Sequence, residues 1–192
     1  MGCLKNVEVV NSTKLLGTIV TDDLKWKANT ANIVKKANAR MELLRRVAGF
    51  RAPKDELKEV YILFIRSMLE QSAVVWHSSL TEANRNDLER VQRSAVRIIL
   101  QNNYKGYEQS LKILDLETLD ERREYLCLKF AQKCVKNPKT RDMFPKNVKN
   151  HSMNTRDNEE YKVQHTHTDR LRKSSIIYMQ NLLNKNEHYI FV

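Results

Sequence analysis

The chain has 192 residues, which suits one domain or one and a half. It carries 34 Lys and Arg against 23 Asp and Glu, a formal charge of +11, and 41% of its residues are hydrophobic. Only 4 Gly and 3 Pro occur, where average usage gives about 13 and 10. These residues punctuate turns, so a many-stranded sandwich or barrel is excluded and long helices are favoured. The longest apolar run, residues 60–65, ends at Arg66, far short of the roughly 18 residues a membrane span needs. Cys3, Cys127 and Cys134 are too few for a disulfide framework and no secretory pattern is visible, so an intracellular place, nuclear or cytoplasmic, is expected.

The first 20 residues are the only strand-like part. Residues 7–10 and 15–20 are β-branched runs on either side of Asn11-Ser12-Thr13, which predicts a hairpin turning at residues 11–13. Two strands cannot bury an apolar face alone. Leu15, Leu16, Ile19 and Val20 therefore need another surface, failing which the hairpin frays or self-associates along its open edge.

Thr21, Asp22 and Asp23 supply N-caps for a helix over about residues 27–48. Ile33, Ala37, Met41, Leu44 and Ala48 fall on one face, with Lys35, Glu42 and Arg46 opposite, and Gly49 ends it. Pro53, followed by Asp55 and Glu56, opens a second helix with the stripe Leu57, Val60, Tyr61, Phe64, Ile65 and Met68. Ile62, Leu63 and Leu69 widen that stripe, so this helix is expected at the centre of the core, packed on two sides. Thr81 caps a third helix reaching Leu100, with Leu88, Val91, Ala95, Ile98 and Ile99 on one face and Arg90, Arg93 and Arg97 on the other. Thr118-Leu119-Asp120-Glu121 is a capping-box sequence opening a helix through about residue 135. Tyr125, Leu126, Leu128, Phe130 and Ala131 make that helix apolar nearly all round, hence buried, and Asn137-Pro138 stops it. Residues 139–170 are polar, anchored only by Phe144-Pro145, before a short amphipathic piece with Ile176, Ile177, Leu182 and Leu183. The expected fold is mainly α: a hairpin (residues 1–20), a helical bundle (21–136) and a loosely structured polar tail (137–192).

Little in the sequence points to catalysis. Asp22-Asp23 has the form of the paired aspartates that hold two Mg²⁺ ions in nucleic-acid polymerases. No Asp precedes it and no strand follows it, so the pair reads as a helix cap. His165-Thr166-His167, with His151 and His188, lacks the Cys and His spacing of a structural zinc site. Cys127 and Cys134, seven apart on one helix face, read as small buried thiols. There is no phosphate-binding glycine loop, no G-x-S-x-G and no H-E-x-x-H; no catalytic residue, metal or cofactor is expected. Positive charge is the remaining lead: Lys35, Arg46, Arg90, Arg93 and Arg97 are the candidate nucleic-acid contacts, with Arg122-Arg123, Arg170, Arg172 and Lys173 adding local excess. Trp26 and Trp76 read as core rather than as base-stacking platforms.

Several stretches together resemble the region just after the polymerase palm in jockey-like retrotransposon reverse transcriptases, the class without long terminal repeats. Lys14-Leu15-Leu16-Gly17-Thr18-Ile19-Val20-Thr21-Asp22 through Leu24-Lys25-Trp26 is similar to that family's K-Y-L-G-V-x-hydrophobic-D…L-x-W segment, with Leu15 in place of Tyr. Lys35-Lys36-Ala37 and Leu43-Leu44-Arg45-Arg46 match its K-K-A and L-x-R-L pattern; Leu69-Glu70 with Val75-Trp76 resembles its L-E-Y-G…V-W. Leu88-Glu89-Arg90-Val91-Gln92-Arg93-Ser94-Ala95 resembles L-E-x-V-Q-R-R-A, and Leu119-Asp120-Glu121-Arg122-Arg123 resembles L-x-E-R-R, with a fainter echo at Thr155-Arg156 and Arg172-Lys173-Ser174. The resemblance implies a primer-grip hairpin at residues 1–20 and a thumb from about residue 27 to 100. It also implies that the palm, with the catalytic aspartates, lies upstream and outside this chain. The expectation is a non-catalytic retroelement remnant whose thumb-like module meets duplex nucleic acid, such as an RNA–DNA hybrid, and whose hairpin meets a palm or a second copy. The rival expectation is a host-adopted helical adaptor that binds protein.

Overall fold

The structure, a computed structural model, describes residues 9–146 and 161–186. Cys3, residues 7 and 8 of the first strand-like run, His151, Thr155-Arg156 and His188 lie outside the described residues. The chain is mainly helical, with one antiparallel hairpin at its N-terminal end. No described helix is long and apolar enough to cross a membrane.

In the hairpin, β1 (Ser12–Leu15) pairs with β2 (Thr18–Thr21) in the register Ser12↔Thr21 to Leu15↔Thr18. The turn is Leu16-Gly17, with φ of 46° and 87°, the two left-handed positions of a type I′ turn. It falls later than the expected Asn11-Ser12-Thr13 because positive φ at two successive positions is what reverses twisted strands, and Gly17 supplies the second freely. Asn11 instead closes the open end, its carbonyl accepting from the Asp22 N–H at 3.0 Å. The hairpin is not left without a surface. Ile19 and Val20 are half-buried, β2 packs on the first helix, and the Ile19 N–H donates to the buried Asn29 carboxamide at 3.0 Å. Leu15 and Leu16 remain in solvent.

Two compact units account for the chain. The first comprises the described residues up to Leu69 together with Leu80–Tyr107; the second comprises Glu70–Ser79 and the described residues from Glu108 onward. This partition crosses the expected boundaries at residues 20 and 136, because the hairpin packs on the first helix and the helix ending at Lys136 packs with the tail.

In the first unit, α1 (Lys27–Gly49) buries Ile33, Ala37, Met41 and Leu44, the face its periodicity predicts. Its N-cap is Trp26, with no side-chain cap. The expected capping by Thr21, Asp22 and Asp23 is replaced by a turn one step earlier: Asp23 accepts from the Thr21 hydroxyl at 2.7 Å and the Lys25 N–H at 2.9 Å. Those two bonds, the hydroxyl's foremost, hold the Asp23 carboxyl down at about 2. Trp26 itself is core.

The second predicted helix departs most from expectation. α2 (Lys54–Val60) continues into a π-helical stretch (Tyr61–Arg66) and a last α-turn, α3 (Ser67–Glu70). The Ser67 N–H reaches back five residues to the Ile62 carbonyl. Leu57, Tyr61, Ile65 and Leu69 are buried, a strict step of four that an α-helix rotates by about 40° each time. Widening the helix keeps all four on one face. The consequence is that Phe64, expected in the buried stripe, and Leu63 face solvent, while Val60, Ile62 and Met68 are half-buried. The helix touches both α1 and, through α2, the helix over Glu82–Leu100.

α5 (Glu82–Leu100) closes the first unit and packs mainly on α1. Thr81 caps it, accepting from the Asn84 N–H at 3.3 Å, and Leu88, Val91, Ala95 and Ile99 are buried as predicted, while Ile98 at the edge of that face is half-buried.

The second unit contains α4 (Ala73–Trp76), a 3₁₀ turn (His77–Ser79), α6 (Tyr107–Ile113) from Glu108 onward and α7 (Leu119–Lys136). The capping box is complete: Thr118 Oγ1 accepts from the Glu121 N–H at 3.2 Å and the Glu121 carboxylate accepts from the Thr118 N–H at 3.0 Å. α7 is not buried all round. Leu119, Arg123, Cys127, Ala131 and Cys134 form its buried face, while Tyr125 and Phe130 stand in solvent. Beyond it, Phe144 is buried as the expected anchor, together with Tyr161. Residues 162–173 are largely exposed, with only the short α8 (Asp169–Arg172). α9 (Ser175–Lys185) then packs Ile177, Met179, Leu182 and Leu183 inward, several of them against Cys127, Ala131 and Cys134. Its start is stitched down by Ser175, which donates to the Val75 carbonyl, and by Ser78 and Ser79, which both donate to the Lys173 carbonyl at 2.7 Å.

Burial, with the Glu124 carboxylate adding to it, pushes the Cys127 thiol up to about 12 against the opposing pull of Arg123. At pH 8 it is therefore protonated and enclosed. Cys127 is expected to resist iodoacetamide in the folded protein and to be alkylated once urea unfolds it. Peptide mass spectrometry checks this; rapid native alkylation at Cys127 would contradict the burial.

Candidate nucleic-acid interface

The arginines of α5 project opposite its buried stripe, and Arg90, Arg93 and Arg97 are all exposed. Their settings differ. Arg90 Nη1 lies 3.4 Å from the Asp87 carboxylate, a surface ion pair one turn back. The Arg93 guanidinium lies 4.8 Å above the centroid of the Tyr107 ring, and that of Arg97 5.3 Å from the centroid of Tyr104. A guanidinium over an aromatic face is held by the ring quadrupole while its N–H edge stays available to an anion.

The two rings reach these places because the chain doubles back after α5. Gln101 adopts φ 47° and its N–H donates to the Arg97 carbonyl, and Tyr104 N–H donates to the Gln101 carbonyl at 3.2 Å. Tyr107 is further fixed through its hydroxyl, which donates to the Glu89 carboxylate and accepts from the Gln92 amide at 2.9 Å. Gln92, fully buried, accepts in turn from the Tyr61 hydroxyl. Burial and the Glu89 carboxylate push the Tyr107 phenol well above its ordinary range, so it stays a donor. The relay from Tyr61 to Glu89 thus gives Arg93 a rigid seat, and Glu89 is engaged by Tyr107.

Lys35 and Arg46 lie elsewhere. Both are exposed on the side of α1 away from Ile33, Ala37, Met41 and Leu44. Since α1 and α5 pack through their buried stripes, their basic faces point apart, and the five candidate residues do not form one surface. Arg46 also shares Glu42 with Arg45, at 3.4 and 3.5 Å. The local excess at Arg122-Arg123 is engaged within the chain: Arg122, half-buried, pairs with Glu70 at 3.2 Å and Arg123 is fully buried. Arg172 pairs with Asp169 at 2.8 Å. Of the other residues considered for chemistry, Trp76 is core, and His165 and His167 are exposed and lie edge to face with centroids 4.9 Å apart. Asp22 and Asp23 sit in the turn before α1.

Sequence reasoning missed Tyr104 and Tyr107. The signal is two aromatics placed directly after a helix end, but it becomes readable only once the reversal at Gln101 is known. Compared with known protein families, with characterised proteins and with solved structures, the chain has no match in any of the three.

Proposed function

We propose that the first unit is a non-catalytic, thumb-like helical module that holds duplex nucleic acid by its phosphate backbone along α5. The observation that carries this reading is the pair Arg93 and Arg97, one turn apart on an exposed face, each supported by a tyrosine ring. Cβ atoms one turn apart are about 5–6 Å from each other, a spacing at which neighbouring phosphates of one strand can each meet a guanidinium. Phosphate contacts position a duplex and carry no base information, so binding is sequence-indifferent. The resemblance to the reverse-transcriptase thumb supports the same reading, and an RNA–DNA hybrid is the duplex it favours.

The test is fluorescence anisotropy of the full chain on labelled duplexes, RNA–DNA hybrid and DNA, over a range of salt. On duplex DNA, two or three neutralised phosphates give a slope of log affinity against log salt of about −2 to −3. Two duplexes of unrelated sequence should bind within about twofold of each other. Absence of saturable binding, or binding that ignores salt, overturns the proposal.

A further inference from the structure

One buried ring in the second unit carries chemistry that the duplex reading does not use. His77, in the 3₁₀ turn after α4, is 0% exposed, and both of its ring nitrogens have partners. Arg123 Nε, on α7, donates to Nδ1 at 3.4 Å, and Nε2 lies 3.4 Å from the Tyr178 hydroxyl on α9. That hydroxyl donates to the Glu124 carboxylate at 3.3 Å, and the Tyr178 ring meets His77 edge to face with centroids 5.7 Å apart. These contacts fix the proton. A guanidinium is always a donor, so Nδ1 must offer its lone pair. The Tyr178 proton is committed to Glu124, so its oxygen accepts from His77 Nε2–H. The neutral Nε2–H ring satisfies the whole line from Arg123 to Glu124, and the doubly protonated ring does not.

A proton added at Nδ1 replaces that acceptor by a second cation, against a guanidinium that is itself fully buried. The other charged groups around the ring do not remove the conflict. Asp120, on α7, lies 4.0 Å from Nδ1 and 3.5 Å from Arg123 Nη2, so one partly exposed carboxylate would face both cations. Glu124 bears on the other nitrogen, through Tyr178. Lys173, just before α9, joins the turn through its carbonyl, which accepts from Ser78 and Ser79, and its side chain is exposed. We propose that His77 is an acid-sensitive latch between α4 and α7. Neutral, it accepts from Arg123 and closes the turn onto α7; protonated, it repels Arg123 and the second unit opens there.

The unfolded chain takes up this proton at about pH 6.5, the ordinary range of imidazole, whereas the closed unit takes it up only by breaking the Arg123 bond. The latch is therefore fully effective above about pH 6.5 and weakens as the pH falls below it. The unfolding constant of the second unit should rise by up to about tenfold per pH unit, or about 25-fold between pH 7 and pH 5. Urea unfolding of the full chain in a Trp26→Phe background measures it, because the Trp76 ring lies 5.9 Å from the Arg123 guanidinium carbon and reports on this junction. His77→Gln keeps an acceptor and a donor but does not titrate, so about 25-fold of the pH dependence should disappear in that variant. Nitrogen NMR of the imidazoles in the unsubstituted chain gives a second reading that stands even where the Gln variant fails to fold. It should show His77 neutral with its proton on Nε2 at pH 7, and still neutral in the folded protein at pH 5.5. Equal pH dependence in the two proteins, or a folded protein whose His77 carries its proton on Nδ1 or on both nitrogens, overturns the proposal. His77 and Arg123 belong to the second unit and α5 to the first, so failure here and failure of the duplex reading are separate results.

Discussion

Arg123→Ala is expected to lower the stability of the second unit by about 2–5 kcal/mol, the range for truncating a large, fully buried side chain. Arg123 is 0% exposed on the buried face of α7. Its Nε donates to His77 Nδ1 at 3.4 Å, its Nη2 lies 3.5 Å from Asp120, and its guanidinium carbon lies 5.9 Å from the Trp76 ring centroid. Alanine removes a large side chain from the interior, leaving a cavity. It also takes away the donor at a fully buried imidazole nitrogen, itself a loss of about 1–3 kcal/mol. Against these stands the desolvation of the guanidinium, which the variant no longer bears, and Asp120 is exposed enough to be rehydrated. Arg123→Met separates the contributions, because it keeps most of the volume and none of the donors. It should fall between wild type and Arg123→Ala, about 1–3 kcal/mol down. Urea unfolding in a Trp26→Phe background, where Trp76 alone reports, measures both. A methionine variant as stable as wild type would mean that desolvation cancels the polar contacts.

What was legible in the sequence was whatever depended on neighbours along one helix. The buried stripe of α5, its Thr81 cap and its exposed arginines follow from a 3.6-residue period and one hydroxyl at the right place. The Thr118–Glu121 capping box was legible for the same reason. The misreadings each come from a contact made at long range or from an altered local period. Arg123 looked like half of a basic pair; what buries it is Trp76 and His77, more than forty residues away. A period of 3.6 residues per turn misplaces the stripe of the second helix, because Leu57, Tyr61, Ile65 and Leu69 are aligned by a wider turn that no residue announces. The polar residues Asn11-Ser12-Thr13 suggest the hairpin's turn, while Leu16-Gly17 makes it. The candidate interface was half visible: the arginines follow from periodicity, but the rings under Arg93 and Arg97 depend on a reversal after Leu100.

The double variant Arg93→Ala, Arg97→Ala is expected to flatten the salt dependence of duplex DNA binding by about 1.8, two contacts at about 0.9 each. Adding Arg90→Ala should change the slope by less than a further 0.9, because Arg90 must leave Asp87 to reach a phosphate. Surface pairs of that kind are worth about 0–1 kcal/mol, enough to rank Arg90 last without removing it. The tyrosines give an independent arm. Tyr104→Leu keeps every charge and removes the ring beneath Arg97, so the slope should hold while affinity falls by the roughly 0.5–1 kcal/mol of an exposed cation–π contact, about two- to fivefold. Tyr107→Phe keeps the ring under Arg93 and releases it from Glu89 and Gln92. If seating is what matters, affinity should drop there too, with Glu89 left to compete for Arg93. Charge removal thus acts on the slope and seat removal on the intercept, a distinction that a general positive field does not produce. A double arginine variant that is folded by circular dichroism and keeps the wild-type slope would exclude this face of α5 from duplex binding.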